Sequence, residues 1–394
     1  MHMRESPRQP SIQARLLDAQ GRPSGFDYLR LILAISVLLS HTINICYGRE
    51  FTEDIWSGPA RPFLALILPM FFALSGFLVA GSFERCRTII SFGALRVLRI
   101  VPALAVDTAV SALLLGPLFT SLPLTDYFLD SRLHAYFLNV VGKIHYVLPG
   151  VFTHNPWNNF VNQQLWTLPY ELLCYTILGF FAMIGIAQRP WIFLPLIIFL
   201  NLVIFFYYGV FGADQAPEVT VTGPILVFCF LFGVLGFLYR EHIAWSSPLF
   251  FSSLAISLLC LYLPAGDFLA PLPATYVTIY LGLLNPPRNW IISSGDYSYG
   301  IFLYGFPVQQ AVVAALGDFG RIWYVNVMLS LFITLALAII SWRAVEKPML
   351  GFRKALPNLE DAMIKLAQKI PFSTFLVTEL QQIRSPRSSI PSNS

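Results

Sequence analysis

Charge is what this chain has least of. Of its 394 residues only 12% are Asp, Glu, Lys or Arg, about half the roughly 25% usual in soluble domains. Together with 56% hydrophobic residues and a mean hydropathy of +0.66, that scarcity excludes an ordinary soluble domain and implies a polytopic membrane protein. Cysteine is sparse as well. Cys46, Cys86, Cys174, Cys229 and Cys260 are scattered, mostly in apolar runs, and show no metal-ligand spacing, so free thiols are expected and no metal. The chain contains no zinc motif, Walker loop, dinucleotide-binding glycine pattern or G-x-S-x-G elbow. Inverted internal repeats of the kind found in many secondary transporters are missing. The first 25 residues hold four arginines but no short apolar core with a cleavage site, and read as a tail rather than a signal peptide. No fused soluble domain, nucleic-acid partner or permanently bound cofactor is expected.

What the chain has in abundance is apolar runs. Ten reach the length of about 20 residues that a membrane helix needs, at 26–47, 62–83, 97–118, 168–188, 190–211, 219–239, 243–264, 268–286, 297–316 and 322–343. An even number puts both termini on one side. With that side cytoplasmic, only Arg49, Arg61, Arg132, Lys143 and Arg321 among the basic residues fall outside, as the positive-inside rule requires. The fold expected is therefore all-α with ten crossings and both termini cytoplasmic. It comprises an N-terminal tail at 1–24, a transmembrane domain at 25–352 and a C-terminal tail at 353–394. That last tail is expected to be partly disordered, with a short surface helix at 359–371. Residues 133–153 are moderately apolar but carry His134, Lys143 and His145. They read as part of one long outer loop, 119–165, lying on or re-entering the surface. A loop of that length without its own span is usually functional.

Ionisable groups inside membrane segments mark sites, because they are costly unless they face protein or water. The first span carries Arg30 and His41, eleven residues apart. Eleven steps of about 100° make roughly three turns, so both side chains share a face about 16 Å apart. Arg96 and Arg99 follow the second span as an i, i+3 pair, suited either to phosphate or to topological anchoring. Asp107, two turns deeper in the third span, is a weaker candidate. In the fourth span Glu171 lies about 7–8 Å below the outer surface, counting from Trp166. His41 lies roughly 22 Å into a core of about 30 Å. The two depths agree, so a His41–Glu171 pair is expected, with two separately satisfied groups as the alternative. The small residues Ser75, Gly76, Ala80 and Gly81 suit close helix packing. Ser298, Tyr299 and Tyr304 read either as cavity or as interface residues, and Glu346 as an ion-pair partner for Arg30 or for the Arg96/Arg99 cluster.

These signals together resemble membrane-bound acyltransferase family 3. The resemblance rests on Arg30–His41, SGFL at 75–78, RVLR at 96–99, LWTLPYE at 165–171, YSYGIFLY at 297–304 and VEKP at 345–348, and covers about residues 24–352. It implies a bacterial inner-membrane enzyme that moves acetyl or a longer acyl group from acyl-CoA to hydroxyls of surface carbohydrates such as exopolysaccharide or lipopolysaccharide. It also implies essential roles for Arg30, His41, Arg96, Arg99 and Glu171. One departure is plain: many members place a histidine where this chain has Gly305. On this reading Arg96, Arg99 and Arg30 hold CoA, His41 is the general base and Glu171 orients it. Trp157, Trp166, Tyr170 and Tyr299 are the candidates to contact the sugar or glycolipid acceptor. The competing readings are a non-enzymatic export component for a lipid-linked glycan and an acyltransferase for a small cytoplasmic acceptor.

Overall fold

The computed structural model describes residues 9–86, 88–211, 221–263, 266–358 and 361. The surface helix expected at 359–371 lies outside them, residue 361 apart. Every expected span coincides with a helix: α1 is the short segment Ile12–Asp18, and the long elements follow as α2 (Ser24–Ser57), α3 (Arg61–Arg85), α4 (Ile89–Val110), α5 (Leu168–Met183), α6 (Pro190–Phe211), α7 (Gly223–Leu238), α8 (Ser247–Tyr262), α9 (Pro271–Gly282), α10 (Ser298–Leu316) and α11 (Trp323–Ser341). No strand forms among the described residues. Among the described residues seven helices are long and apolar enough to cross a membrane, while α7, α8 and α9 are shorter. Large apolar side chains lie bare on the outside of the bundle, with Phe332 76% and Phe206 61% exposed. An apolar surface of that kind belongs in lipid.

Ion pairs sort the helix ends onto two faces. Arg61, the first residue of α3, meets Asp267, after α8, at 2.6 Å. Arg240, after α7, meets Glu84, at the end of α3, at 2.9 Å. The short α8 therefore runs between the same two faces as the long α3. Residues on the Glu84 face form what is called here the proximal side, where α2 begins; Arg61 and Asp267 lie on the distal side.

α3 and α7 form the closest pair because glycine lines their contact. A side chain at Gly76 would collide with the Phe230 carbonyl, and one at Gly233 with the Ala73 carbonyl. The small residues of the second span are packing residues here, apart from Ser75. α2 breaks where its apolar run ends. Gly48 has φ +81°, a conformation that glycine adopts without steric penalty, and it turns the chain back under Pro156. The N-terminal segment is more ordered than a tail. The amides of Ile12 and Gln13 donate to the carbonyls of Ile243 and Arg240 at 3.0 and 2.8 Å, and Arg15 lies 4.2 Å over the Trp245 ring.

Residues 119–165 make no span and fold into a distal cap with its own core. Tyr127, Tyr136, Leu148, Val151 and Val161 are buried together against Ala112, and the Tyr127 hydroxyl donates to the Ala112 carbonyl at 2.6 Å. The cap does not rest on top of the bundle. Its last part enters it: Asn162 and Gln164 are wholly buried, Asn162 donating to Asp107 at 2.9 Å and Gln164 to the Leu303 carbonyl at 2.7 Å. A π-helical turn, Ser111–Leu115, continues α4 and brings Ser111 within 3.3 Å of Asn162. Such turns insert one extra residue and re-aim side chains.

The α3–α7 contact gives a direct test. Gly233→Val should destabilise the solubilised protein by about 1–3 kcal/mol, the usual cost of overpacking, read as a lower thermal midpoint. Gly179→Ala, where an added Cβ meets nothing within 4 Å, should leave the midpoint no lower.

Candidate active site

The proximal face opens into a cavity of about 550 Å³, within the range of ligand sites. It lies between α2, α3, α4, α5 and α10. Its polar wall brings together four residues singled out from the sequence, Arg30, Arg96, Arg99 and Glu171, with Tyr299. Arg22, Arg85 and Arg353 also line it. Leu68, Phe71, Leu78, Leu95, Ile100 and Phe302 supply much of its apolar wall.

One residue that no motif flagged organises the floor. Asp296, two residues before α10, accepts from Arg30 and from Arg99 through the same Oδ2, both at 2.7 Å. Its other oxygen accepts from the Ser298 hydroxyl at 2.6 Å. Burial would raise the pKa of Asp296, but Arg99 and Arg30 outweigh it and hold the carboxyl well below the usual carboxylate range. Arg99 reaches Glu346 as well, at 3.3 Å, so the expected pairing of Glu346 with the arginine cluster is formed. A second π-helical turn, Trp342–Glu346, closes α11 and delivers that carboxylate. The Tyr299 hydroxyl donates to the Ile100 carbonyl at 3.1 Å, and the Arg99 guanidinium lies 5.7 Å from its ring centre.

Glu171 faces this arginine cavity and not His41. Its carboxylate accepts from the Tyr175 hydroxyl. No ion pair or hydrogen bond joins it to His41 among the described residues. Glu171 stands further from the distal face than a count from Trp166 implies. Gln164 already bonds Leu303, five residues into α10. Seven residues further on, Glu171 stands about 10–12 Å nearer the proximal face, level with Asp296.

His41 stands higher. Its ring meets the Phe306 ring edge-on at 5.2 Å, about 12 Å along α10 from Ser298. It is half-buried, and no hydrogen bond occupies its ring nitrogens among the described residues. It does not line the arginine cavity, but Phe302 does, one turn below Phe306 on the same face of α10. The cavity therefore ends roughly 6 Å below His41. From the distal side Trp157 of the cap packs against the cluster of Ile45, Phe306 and Val313, which includes the phenylalanine that His41 touches. Trp166 and Tyr170 lie elsewhere: they pack against the main apolar core, with Tyr170 covering Gly223. Asp107 is tied to Asn162 in the cap contact and is absent from the cavity wall.

Asp296, Tyr175, Arg22, Arg85 and Arg353 are the site residues that sequence reasoning missed. Asp296 reads as a solvated turn in SSGDYS, and the arginines as helix-end anchors. Removing the shared carboxylate should be costly. Breaking a buried pair typically costs about 3–5 kcal/mol. With these side chains about a quarter exposed, Asp296→Asn should cost about 2–3 kcal/mol. A carboxyl with a depressed pKa contributes stability above its unfolded pKa of about 3.9 and loses it only as pH falls toward the folded value. The gap in thermal midpoint between wild type and variant should therefore not narrow as pH is lowered from 7 to 5.

Comparison with known proteins joins this geometry to a family. The acyltransferase-domain model of acyltransferase family 3 matches residues 24–343. A protein named O-acetyl transferase from Shigella phage Sf6 is 26% identical over 82% of this chain and 95% of its own length. One named Nodulation protein 10 from Rhizobium leguminosarum bv. viciae is 28% identical over 86% and 96%. No solved structure matches. The matched region contains His41 and nearly all of the arginine cavity; the chain belongs to acyltransferase family 3 and is a multi-pass membrane acyltransferase.

Proposed function

We propose that this acyltransferase moves an acetyl group from acyl-CoA to a hydroxyl of a cell-surface carbohydrate, exopolysaccharide or lipopolysaccharide, in the bacterial inner membrane. The proximal face would be cytoplasmic, with ten crossings and both termini on that side. The observation that carries the reading is the vertical order of the site. A cation-walled cavity opens on the proximal face, His41 stands one helical turn above its end, and an aromatic-bearing cap closes the distal side. The O-acetyltransferase name of the phage relative agrees with it.

On this reading the donor's phosphates stay at the arginine mouth. The apolar wall suits the pantetheine arm, whose thioester must pass the Phe302 level to reach His41. The acceptor enters beneath the cap, where Trp157 is placed to stack on a sugar ring. His41 Nε2 or Nδ1 takes the proton from the hydroxyl as its oxygen attacks the thioester carbon. The C–S bond then breaks, and the departing thiolate recovers that proton from the imidazolium. A positioned base contributes about 10²–10⁴-fold. Glu171 and Tyr175 belong to the donor cavity, so no direct orienting role for Glu171 toward His41 is assigned.

Membranes containing the protein should transfer label from radiolabelled acetyl-CoA to a polysaccharide fraction. His41→Ala should lower transfer at least about 100-fold while leaving CoA binding within about twofold of wild type. Wild-type transfer by that variant would reject His41 as the base, and no carbohydrate labelling by the wild type would reject the acceptor class. Arg96→Ala should raise the KM for acetyl-CoA about tenfold, as expected for loss of a charge-assisted contact. An unchanged KM would make Arg96 a topological anchor only.

A further inference from the structure

The six arginines of the cavity fall into two electrostatic groups. Arg30 and Arg99 are held by Asp296 at 2.7 Å each, and Arg99 by Glu346 besides. Arg96 gives one donor to Ser82 at 3.1 Å, and its Nε is buried without a partner. These three stand at the floor with three carboxylates, Asp296, Glu346 and Glu171. Basic and acidic side chains there are equal in number.

The rim is different. Arg22, Arg85 and Arg353 line the same cavity, are exposed, and form no ion pair among the described residues. Nearby acids are committed elsewhere, Glu84 to Arg240 and Asp27 to Arg288. The three rim cations come from remote parts of the chain: Arg22 precedes α2, Arg85 ends α3 and Arg353 follows α11. Their convergence on one mouth concentrates positive charge where an anion would arrive. A guanidinium already bonded to a carboxylate must break that bond before it can take a phosphate, whereas an unpaired one need not.

We infer that Arg22, Arg85 and Arg353, rather than the paired Arg30 and Arg99, hold the phosphates of the donor and make the site selective for a nucleotide bearing a phosphomonoester. This rests on the acyl-CoA reading given above. A phosphomonoester carries about −1.5 to −2 charge near neutrality, more than either phosphate of a pyrophosphate diester. The 3′-phosphate of CoA is therefore the group that an uncompensated cluster discriminates best. Arg30 and Arg99 are then positioning residues: through Asp296 and Glu346 they fix α2, α4, α10 and α11 around the thioester arm.

The test uses the full chain, purified into nanodiscs of zwitterionic lipid, with CoA and 3′-dephospho-CoA as probes in competition with labelled acetyl-CoA. Wild type should prefer CoA over 3′-dephospho-CoA by at least about tenfold. Each of Arg22→Gln, Arg85→Gln and Arg353→Gln should weaken CoA about fivefold, and the triple variant about a hundredfold if the effects add. Binding of 3′-dephospho-CoA should change much less. The thermal midpoint should stay at the wild-type value in the single variants, which separates lost binding from lost folding. Equal binding of the two probes by wild type, or unchanged CoA affinity in the triple variant, overturns the assignment while leaving the donor reading intact. A wild type that binds neither probe rejects the donor reading and this inference with it. In nanodiscs containing phosphatidylglycerol, loss of retained anionic lipid by the triple variant with unchanged CoA affinity would identify the rim as a headgroup site and also overturn the assignment.

Discussion

One carboxylate shared by two guanidinium groups fixes the proximal half of this protein. Asp296 stands at the start of α10, Arg30 in the second turn of α2 and Arg99 in the third turn of α4. Lipid gives helices no hydrophobic reason to prefer one another, so polar contacts and close packing set their arrangement. Two cations side by side at a membrane boundary would repel, and the anion between them converts repulsion into a three-helix clamp. Glu346 extends the clamp to α11. The cavity exists because these helices are held at their polar ends while their apolar sides stand apart.

The distal half is fixed by a different means. Among the described residues no comparable charge cluster lies near His41, and amides hold the helices instead. Gln309 donates to the Leu38 carbonyl and the Thr42 hydroxyl at 3.0 and 2.6 Å, which locks α10 to α2 on either side of the His41 turn. Gln310 donates to the carbonyls of Trp157 and Phe160 at 2.6 and 2.9 Å, and ties the cap to the same helix. Two adjacent glutamines thus hold the His41 helix and the Trp157 loop against one turn of α10. Neutral donors suit this place, since an uncompensated charge beside an imidazole would displace its titration range.

How much of this could be read from the amino-acid order follows from the range of the forces involved. Helix positions are legible because burial in lipid depends on local apolar length, and α2 even breaks at Gly48, one residue past the expected end. The shared face of Arg30 and His41 is legible because helical periodicity is local. The place of Glu171 is not. Asn162 and Gln164 look like surface residues, yet they are buried because Asp107, Ser111 and the Leu303 carbonyl, all distant in sequence, satisfy them. That tertiary pairing draws the start of α5 inward and carries Glu171 down to the arginines. Asp296 escaped notice for the same reason. Its value lies wholly in partners 266 and 197 residues away, and a lone Asp in a Ser/Gly turn carries no local mark of them.

Gly305 shows how this chain closes the space that a larger side chain would occupy. An added Cβ there would sit 3.3 Å from Leu38 Cδ1, on the same face of α2 as His41 and one turn before it. α2 and α10 are therefore packed to contact at the position where the family resemblance leads one to look for a histidine. A second imidazole at this point would need the Leu38 side chain to give way. What faces His41 instead is the neighbouring Phe306, edge-on. The phenylalanine ring packs against the imidazole, and among the described residues no hydrogen bond occupies either of its nitrogens.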